Sequence, residues 1–250
     1  MKVTVVGVGM VGTQVYNWFK DRHETLSYDT KKTSDSWDEC SKADVFFVCV
    51  PTPYKEGVGY DLTALDETLE KIPNGCLVVI KSTVNPGTSD KYQAMYPLKQ
   101  IMFNPEFLTE LSAEEDFKHP DMQILGISKE SEPWASEVML MLPPAPTMRV
   151  VSLIDAEWIK KVRNVYYAMK VIFFNQISDM VESPADYETI RSIVVEDPRI
   201  GNSHSFVHHK GYRGYGGNCL PKDLDSLLEV SSSELLSKVK EINEKYQSEK

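Results

Sequence analysis

Residues 1–12 read Met1-Lys2-Val3-Thr4-Val5-Val6-Gly7-Val8-Gly9-Met10-Val11-Gly12, a β-rich run broken by glycines in the spacing G-x-G-x-x-G. Thr13 to Asp21 continues as a helix, with Val15, Trp18 and Phe19 forming its apolar face. The glycines therefore fall between a strand and a helix, where each has a physical task. Gly7 permits the tight turn, Gly9 lets a pyrophosphate approach the backbone, and Gly12 allows close helix–strand packing. Phosphate would sit at the positive end of the helix, with Val11 in its first turn. Thr25-Leu26-Ser27-Tyr28-Asp29 reads as a second strand ending in an acid, about 17 residues past Gly12. An acid there suits a ribose 2′-hydroxyl, which favours NAD over NADP. An exposed loop aspartate is the plainer alternative.

Working outward, Thr30 to Ala43 is short and polar, helix-like only around Asp35 to Ser41. Asp44-Val45-Phe46-Phe47-Val48-Cys49-Val50 is a continuous apolar run, suited to a parallel strand buried on both faces, and Pro51-Thr52-Pro53 stops it. A helix is expected over Asp61 to Ile72, then a strand, Leu77 to Ile80, ending in Lys81-Ser82-Thr83-Val84-Asn85-Pro86-Gly87. Gln100 to Phe103 is a further strand, ending in Asn104-Pro105-Glu106-Phe107-Leu108-Thr109-Glu110. Polar residues at the carboxyl ends of parallel strands lie where open α/β sheets bind ligands. Met122 to Ile127 and Met148 to Val151 are expected as edge strands, with a helix around Ser131 to Leu142 between them. Strands alternating with helices predict a Rossmann-type doubly wound parallel sheet over 1–153.

The pattern changes at Asp155. From there to Ser183 an uninterrupted helical stripe carries Trp158, Val162, Val165, Tyr166, Met169, Ile172, Phe173, Ile177 and Met180. At 3.6 residues per turn this helix runs for some seven or eight turns, and one so long packs on other helices or on a second subunit. We therefore expect an all-helical second domain over 154–250, with a homodimer formed through the 155–183 helix. Lys160 and Asn164, four apart, share a face near its start, as solvated polar residues or as site residues. Tyr187 to Val195 reads as another helix, a loop runs from Glu196 to Cys219, and Leu224 to Tyr246 reads as one charged amphipathic helix. In Gly214-Tyr215-Gly216-Gly217-Asn218-Cys219-Leu220-Pro221-Lys222-Asp223 a thiol directly follows a glycine-rich turn. Lys222 would lower its pKa and favour the nucleophilic thiolate. A buried, inert cysteine before a helix is the alternative.

Composition bounds the function. The 250 residues are 42% hydrophobic and 26% charged, ordinary for a globular protein of one large or two modest domains. The net charge of −10 argues against a nucleic-acid surface but not against a small anionic ligand held by local amides and lysines. Cys40, Cys49, Cys76 and Cys219 are widely spaced, with no C-x-x-C, which suggests reduced thiols in a cytoplasmic protein. The longest strongly apolar run, Val45 to Val50, is far too short to span a membrane, and no signal peptide is expected. His204, His208 and His209 match no metal-ligand spacing, so no metal is expected.

With these residues in view, the chain resembles the UDP-glucose/GDP-mannose 6-dehydrogenase family along nearly its whole length. The likeness rests on ordered motifs: the glycine fingerprint, Val50-Pro51-Thr52-Pro53, Lys81-Ser82-Thr83-Val84, Asn104-Pro105-Glu106-Phe107-Leu108-x-Glu110, Asp197-Pro198-Arg199-Ile200-Gly201, and Gly216-Gly217-Asn218-Cys219 running into Pro221-Lys222-Asp223. The resemblance implies oxidation of a nucleotide-sugar C6 alcohol to the uronic acid, UDP-glucose to UDP-glucuronate, with two NAD per turnover. It implies Cys219 as nucleophile, Lys160 and Asn164 stabilising negative charge on the C6 oxygen, and Asp223 positioning or activating water. Glu106 would be the base of thioester hydrolysis, and Thr83 would hold water and the nicotinamide end. Thr52 and Glu110 join Gly7, Gly9, Val11, Gly12 and Asp29 as cofactor contacts. Phe107, Leu108, Tyr215 and Gly216 would line the substrate beside Lys160 and Asn164, with Arg199 reaching a neighbouring subunit.

Two departures from the family pattern stand out. The third, C-terminal sugar-nucleotide-binding domain is expected to be lacking, and the helix and strand usual between Asp29 and Asp44 are absent. Two further readings follow. A truncated NAD-binding homologue without turnover, acting as a regulatory or partner subunit, would account for a missing domain. A β-hydroxyacid dehydrogenase joins the same cofactor fold to a long helix, but its chemistry needs no nucleophilic thiol.

Overall fold

Apolar runs too short for helices and bounded by Gly, Pro and Asp form strands here, and the amphipathic stretches between them form helices. The computed structural model describes residues 1–109, 111–209 and 211–248. The chain divides into two compact units. The first comprises Met1–Lys55 and Tyr60–Lys160, the second Glu56–Gly59 and the chain from Lys161 onward.

In the first unit Lys2–Val6 (β1), Glu24–Tyr28 (β2) and Val45–Val48 (β3) are joined by helices Met10–Phe19 (α1) and Trp37–Cys40 (α2). The short strands Tyr54–Lys55 (β4) and Gly59–Tyr60 (β5) precede Thr63–Lys71 (α3), Leu77–Ile80 (β6), Thr88–Met95 (α4) and Gln100–Phe103 (β7). Ala113–Lys118 (α5), Met122–Ile127 (β8), Ala135–Met141 (α6) and Thr147–Ser152 (β9) complete it. The sheet order is β2-β1-β3-β6-β7-β8-β9. Tyr28, Val6, Val48, Ile80 and Phe103 are neighbours in register across the five parallel strands, so those strands end level. The chain reverses its direction of progress across the sheet at β1 and β3, the switch point where doubly wound sheets bind ligands. With only the single-turn α2 between β2 and β3, β2 is the sheet's edge on that side, in line with the shortened connection read from the sequence.

Both faces of the sheet are covered, which is why its central strands read as unbroken apolar runs. Phe46, Val48, Val78 and Ile80 pack on one side with Leu65, Leu69 and Ile101. Val45, Phe47, Leu77 and Val79 pack on the other with Val15, Phe19 and Val138. Burying each such side chain contributes about 1.5–3 kcal/mol.

Two expectations need correcting. Met122–Ile127 is not an edge strand: it lies between β7 and β9, and only β9 is at the edge. The sheet is also not wholly parallel, because β8 runs antiparallel to β7. Burial separates the two strands, since Gln123 to Gly126 are buried whereas Val150 in β9 is exposed. Gly126 lets the chain at Ala156 lie close against this strand: a Cβ there would lie 2.7 Å from Ala156 Cβ.

In the second unit, the later turns of Leu153–Met180 (α7) pack with Leu220–Val230 (α9) and Glu234–Ser248 (α10), Pro184–Val194 (α8) follows α7 in the chain, and the strands His208–His209 (β10) and Tyr212–Arg213 (β11) form a small ribbon. Val165, Ala168 and Ile172 of α7 meet Tyr215, Leu224, Leu227, Val239 and Tyr246 in its core. The single helix expected over Leu224 to Tyr246 is two helices. Ser231-Ser232-Ser233 interrupts it: Ser231 is extended, and Ser233 Oγ accepts the Leu236 N–H at 3.3 Å to start α10. Serine side chains compete for backbone hydrogen bonds and so favour helix ends.

Candidate active site

The level carboxyl ends of the parallel strands place the glycine turn, Asp29, Thr52, Thr83 and Glu106 in the loops along one edge of the first unit's sheet. Gly7 has φ +85°, and a Cβ on Gly12 would lie 1.8 Å from Gly7 O, so neither position tolerates a side chain. Gly9 differs: a Cβ there would meet nothing within 4 Å. Two glycines are thus required by the fold, and one leaves open space at the amino end of α1, which fits a dinucleotide pyrophosphate. Val11 is half-buried in the first turn of α1. Asp29 Oδ2 accepts the Val8 N–H at 2.8 Å and Oδ1 the Lys31 N–H at 2.8 Å. Burial raises the Asp29 carboxyl, but these amides and Lys32 outweigh it and hold the group below its ordinary range. An ionised acceptor fixed against the glycine turn is what a ribose diol needs. Thr52 Oγ1 donates to Thr83 O at 2.6 Å, tying the loop after β3 to the loop after β6. Glu110, expected as a cofactor contact, lies outside the described residues.

Beyond β7, Lys160 from α7 donates to Glu106 Oε1 at 2.6 Å and also to Glu106 O. Glu106 Oε2 accepts the Leu108 N–H at 2.8 Å. Phe107 turns its ring beside the same ammonium, with Lys160 Nζ 5.6 Å from the ring centroid. Burial works against the Glu106 carboxylate, yet Lys160, the Leu108 amide and Lys81 more than offset it, leaving the group below its ordinary value. Lys81 is buried, donates to Asn104 Oδ1 at 2.5 Å, and is pushed down to about 8 chiefly by burial. Burial pushes the nearby Cys49 thiol up to about 12. Glu157, one turn before Lys160, accepts the Ser89 N–H at 2.8 Å and the Gly87 N–H at 2.5 Å, holding the start of α4. Its anchoring role was not legible in the sequence, where it is one acid among many.

In the second unit Cys219, partly exposed, is the residue from which α9 springs. A helix amino terminus stabilises a thiolate through its unsatisfied amides and dipole. Asp223 follows one turn later, its N–H donating to Cys219 O at 3.0 Å. Asp223 is fully buried, and Asn164 Nδ2 donates to its Oδ2 at 2.5 Å. Lys161 Nζ donates to its Oδ1 at 2.8 Å and to Ser226 Oγ at 2.7 Å. Lys160 and Asn164, read from spacing as a pair on one face, thus engage different carboxylates, Glu106 and Asp223.

The remaining expected contacts are more dispersed. Arg199 is exposed and forms a two-point ion pair with Asp197 in its own loop, Nη2 to Oδ2 being 2.5 Å. Lys170 holds that loop through Ile200 O at 2.7 Å and Gly201 O at 2.8 Å. Tyr215 is buried in the second unit's core, its N–H donating to Asn243 Oδ1 at 2.7 Å. At Gly216 a Cβ would lie 2.5 Å from the Tyr212 hydroxyl, so that glycine makes room for the Tyr212 ring. His204 stacks on Tyr167 with centroids 4.0 Å apart, and burial pushes its imidazole down to about 4.

Comparison with known proteins bears on this arrangement. Residues 20–141 match the NAD binding domain of the UDP-glucose/GDP-mannose dehydrogenase family, and residues 154–245 match its central domain. The UDP-glucose 6-dehydrogenase of Rickettsia prowazekii (strain Madrid E) is 35% identical over 217 residues, covering 82% of this chain and 49% of that protein. The chain thus spans about half the length of such relatives. A UDP-glucose dehydrogenase structure from the hyperthermophilic archaeon Pyrobaculum islandicum matches with a TM-score of 0.84 at 25% identity, covering 97% of this chain and 68% of that one. The 3-hydroxyisobutyrate dehydrogenase of Mycobacterium tuberculosis reaches a TM-score of 0.73 at 14% identity, covering 99% of this chain and 94% of that one, a likeness of fold alone.

Proposed function

The chain belongs to the UDP-glucose/GDP-mannose dehydrogenase family, and from that premise we propose that it oxidises the C6 alcohol of a nucleotide sugar, UDP-glucose, to the carboxylate. The observation that carries this reading is the Cys219–Asp223 turn: a partly exposed thiol at a helix amino terminus, with a fully buried, doubly held carboxylate one turn on. A two-electron hydroxyacid dehydrogenase has no use for that thiol. NAD is the cofactor, and when bound it accepts the hydride leaving C6.

The residues have distinct tasks. Gly9 and the amino end of α1 seat the pyrophosphate, Asp29 holds the adenosine ribose, and Thr52 and Thr83 border the nicotinamide end. Lys160 and Asn164 stabilise the negative charge that develops on the C6 oxygen as its proton departs. Cys219 adds its sulfur to the aldehyde carbon, so the reactive intermediate stays attached as a thiohemiacetal that keeps one C6 hydrogen. Loss of that hydrogen as a second hydride, to a second NAD, with the hydroxyl proton passing to water, leaves a thioester. Glu106, ionised beside Lys160, takes a proton from the attacking water, the carbon–sulfur bond breaks, and the carboxylate and thiol separate. Asp223 orients water in these proton transfers. Phe107 and Leu108 flank the sugar, and Arg199 reaches it from a second copy of the chain.

Purified chain supplied with NAD and UDP-glucose, with GDP-mannose alongside, should form two NADH per sugar, and Cys219→Ala should abolish this. Two NADH per sugar from the Cys219→Ala variant would overturn the thiol's role, and NAD binding without any turnover by the unaltered chain would overturn the reading and favour a non-catalytic NAD-binding subunit.

A further inference from the structure

Lys161 stands next to Lys160 in sequence but answers to a different carboxylate, and it is fully buried together with Asp223. A buried ammonium is costly, and a buried ion pair adds little net stability over an apolar pair of the same shape. A packing role is therefore a poor account of a lysine placed here. The geometry is specific instead. Lys161 Nζ reaches Asp223 Oδ1 at 2.8 Å and Ser226 Oγ at 2.7 Å, while Asn164 Nδ2 takes the other carboxylate oxygen at 2.5 Å. Ser226, one turn after Asp223 on α9, also donates to Asp223 O at 3.2 Å, which fixes its hydroxyl as a rest for the ammonium. One oxygen of Asp223 is thus held by a cation and the other by a neutral amide.

We propose that Lys161 is a positioning residue for Asp223: it fixes the rotamer of the carboxylate, so that the Asn164-bound oxygen is presented in one orientation to the reacting water. The proposal rests on the dehydrogenase reading above, and it assigns Lys161 no contact with substrate. Lys161 acts only through Asp223, so its effect should vanish once Asp223 can no longer accept a proton.

The test is a double-mutant cycle on the full chain, with kcat, KM for NAD and thermal unfolding measured for Lys161→Met, Lys161→Arg, Asp223→Asn and Lys161→Met/Asp223→Asn. Positioning errors of an ångström cost on the order of a hundredfold in rate, so Lys161→Met should lose roughly that factor in kcat with KM for NAD unchanged. Lys161→Arg should restore part of it. The double variant should turn over at the rate of Asp223→Asn alone, and that comparison also serves if Lys161→Met fails to fold, because the double variant leaves no unpaired buried charge. A Lys161→Met enzyme that melts earlier but turns over normally would overturn the proposal, and so would a double variant far slower than Asp223→Asn. Those results leave the dehydrogenase reading intact, whereas no NADH from the unaltered chain overturns both.

Discussion

At the scale of single residues, the Glu106–Lys160 pair makes the stability of the first unit depend on pH. Both groups are buried, and the carboxyl is held below its ordinary value of 4.5. A carboxyl with a depressed folded pKa contributes stability that is present above its unfolded pKa and is lost as pH falls through the folded pKa. Lys160→Met removes the cation and leaves burial acting against the charged form, so the Glu106 pKa should rise. At neutral pH this variant should lose about 3–5 kcal/mol, the usual effect of stranding a buried charge. In acid, protonation relieves the stranded carboxylate, so the gap between variant and unaltered chain should narrow as pH falls from about 7 toward 4. Denaturant unfolding at several pH values measures this gap, and one that does not change with pH would contradict the assignment.

At the scale of elements, the β1–turn–α1 unit makes a sharper claim than its glycine pattern alone. Gly9→Ala places its Cβ in open space with φ at −79°, whereas Gly12→Ala drives a Cβ into Gly7 O. Gly9→Ala should therefore melt with the unaltered chain yet bind NAD at least about tenfold more weakly, a difference of about 1.4 kcal/mol. Gly12→Ala should lose stability with or without NAD. Calorimetric NAD titration beside thermal unfolding tests both, and unchanged NAD affinity in Gly9→Ala would remove the pyrophosphate from this turn. This element was legible because strand, turn and helix each left a local signal at the right spacing. The direction of β8 was not, since its apolar run reads alike in either direction and only pairing with β7 sets it. The break between α9 and α10 was written in Ser231-Ser232-Ser233, a polar signal masked by good helix formers on both sides. Adjacent lysines likewise look interchangeable in sequence. Only the packing of α7 sends Lys160 to Glu106 and Lys161 to Asp223.

At the scale of the whole molecule, α7 carries more apolar surface than the chain itself covers. Val165, Ala168 and Ile172 are buried, while Val162 and Tyr166 remain about half exposed at 57% and 51%, Phe173 at 58% and Met180 at 75%. With Trp158 these residues follow spacings of four and seven, which align them along one face of the helix. The net charge of −10 keeps copies apart at long range, but at physiological ionic strength that repulsion is screened within about 8 Å. A second copy presenting the same stripe would cover it symmetrically, as in most homodimers. Static light scattering should accordingly give twice the chain mass at micromolar concentration. Val162→Glu/Phe173→Glu should shift this to the chain mass while leaving NAD affinity unchanged, because neither residue belongs to the glycine turn or its partners. Removing two side chains worth about 1.5–3 kcal/mol each from the interface weakens association by a hundredfold or more at 1.4 kcal/mol per tenfold. An unaltered chain that scatters as a monomer at tens of micromolar would leave the α7 face without a second copy, and Arg199 without a neighbouring site to enter.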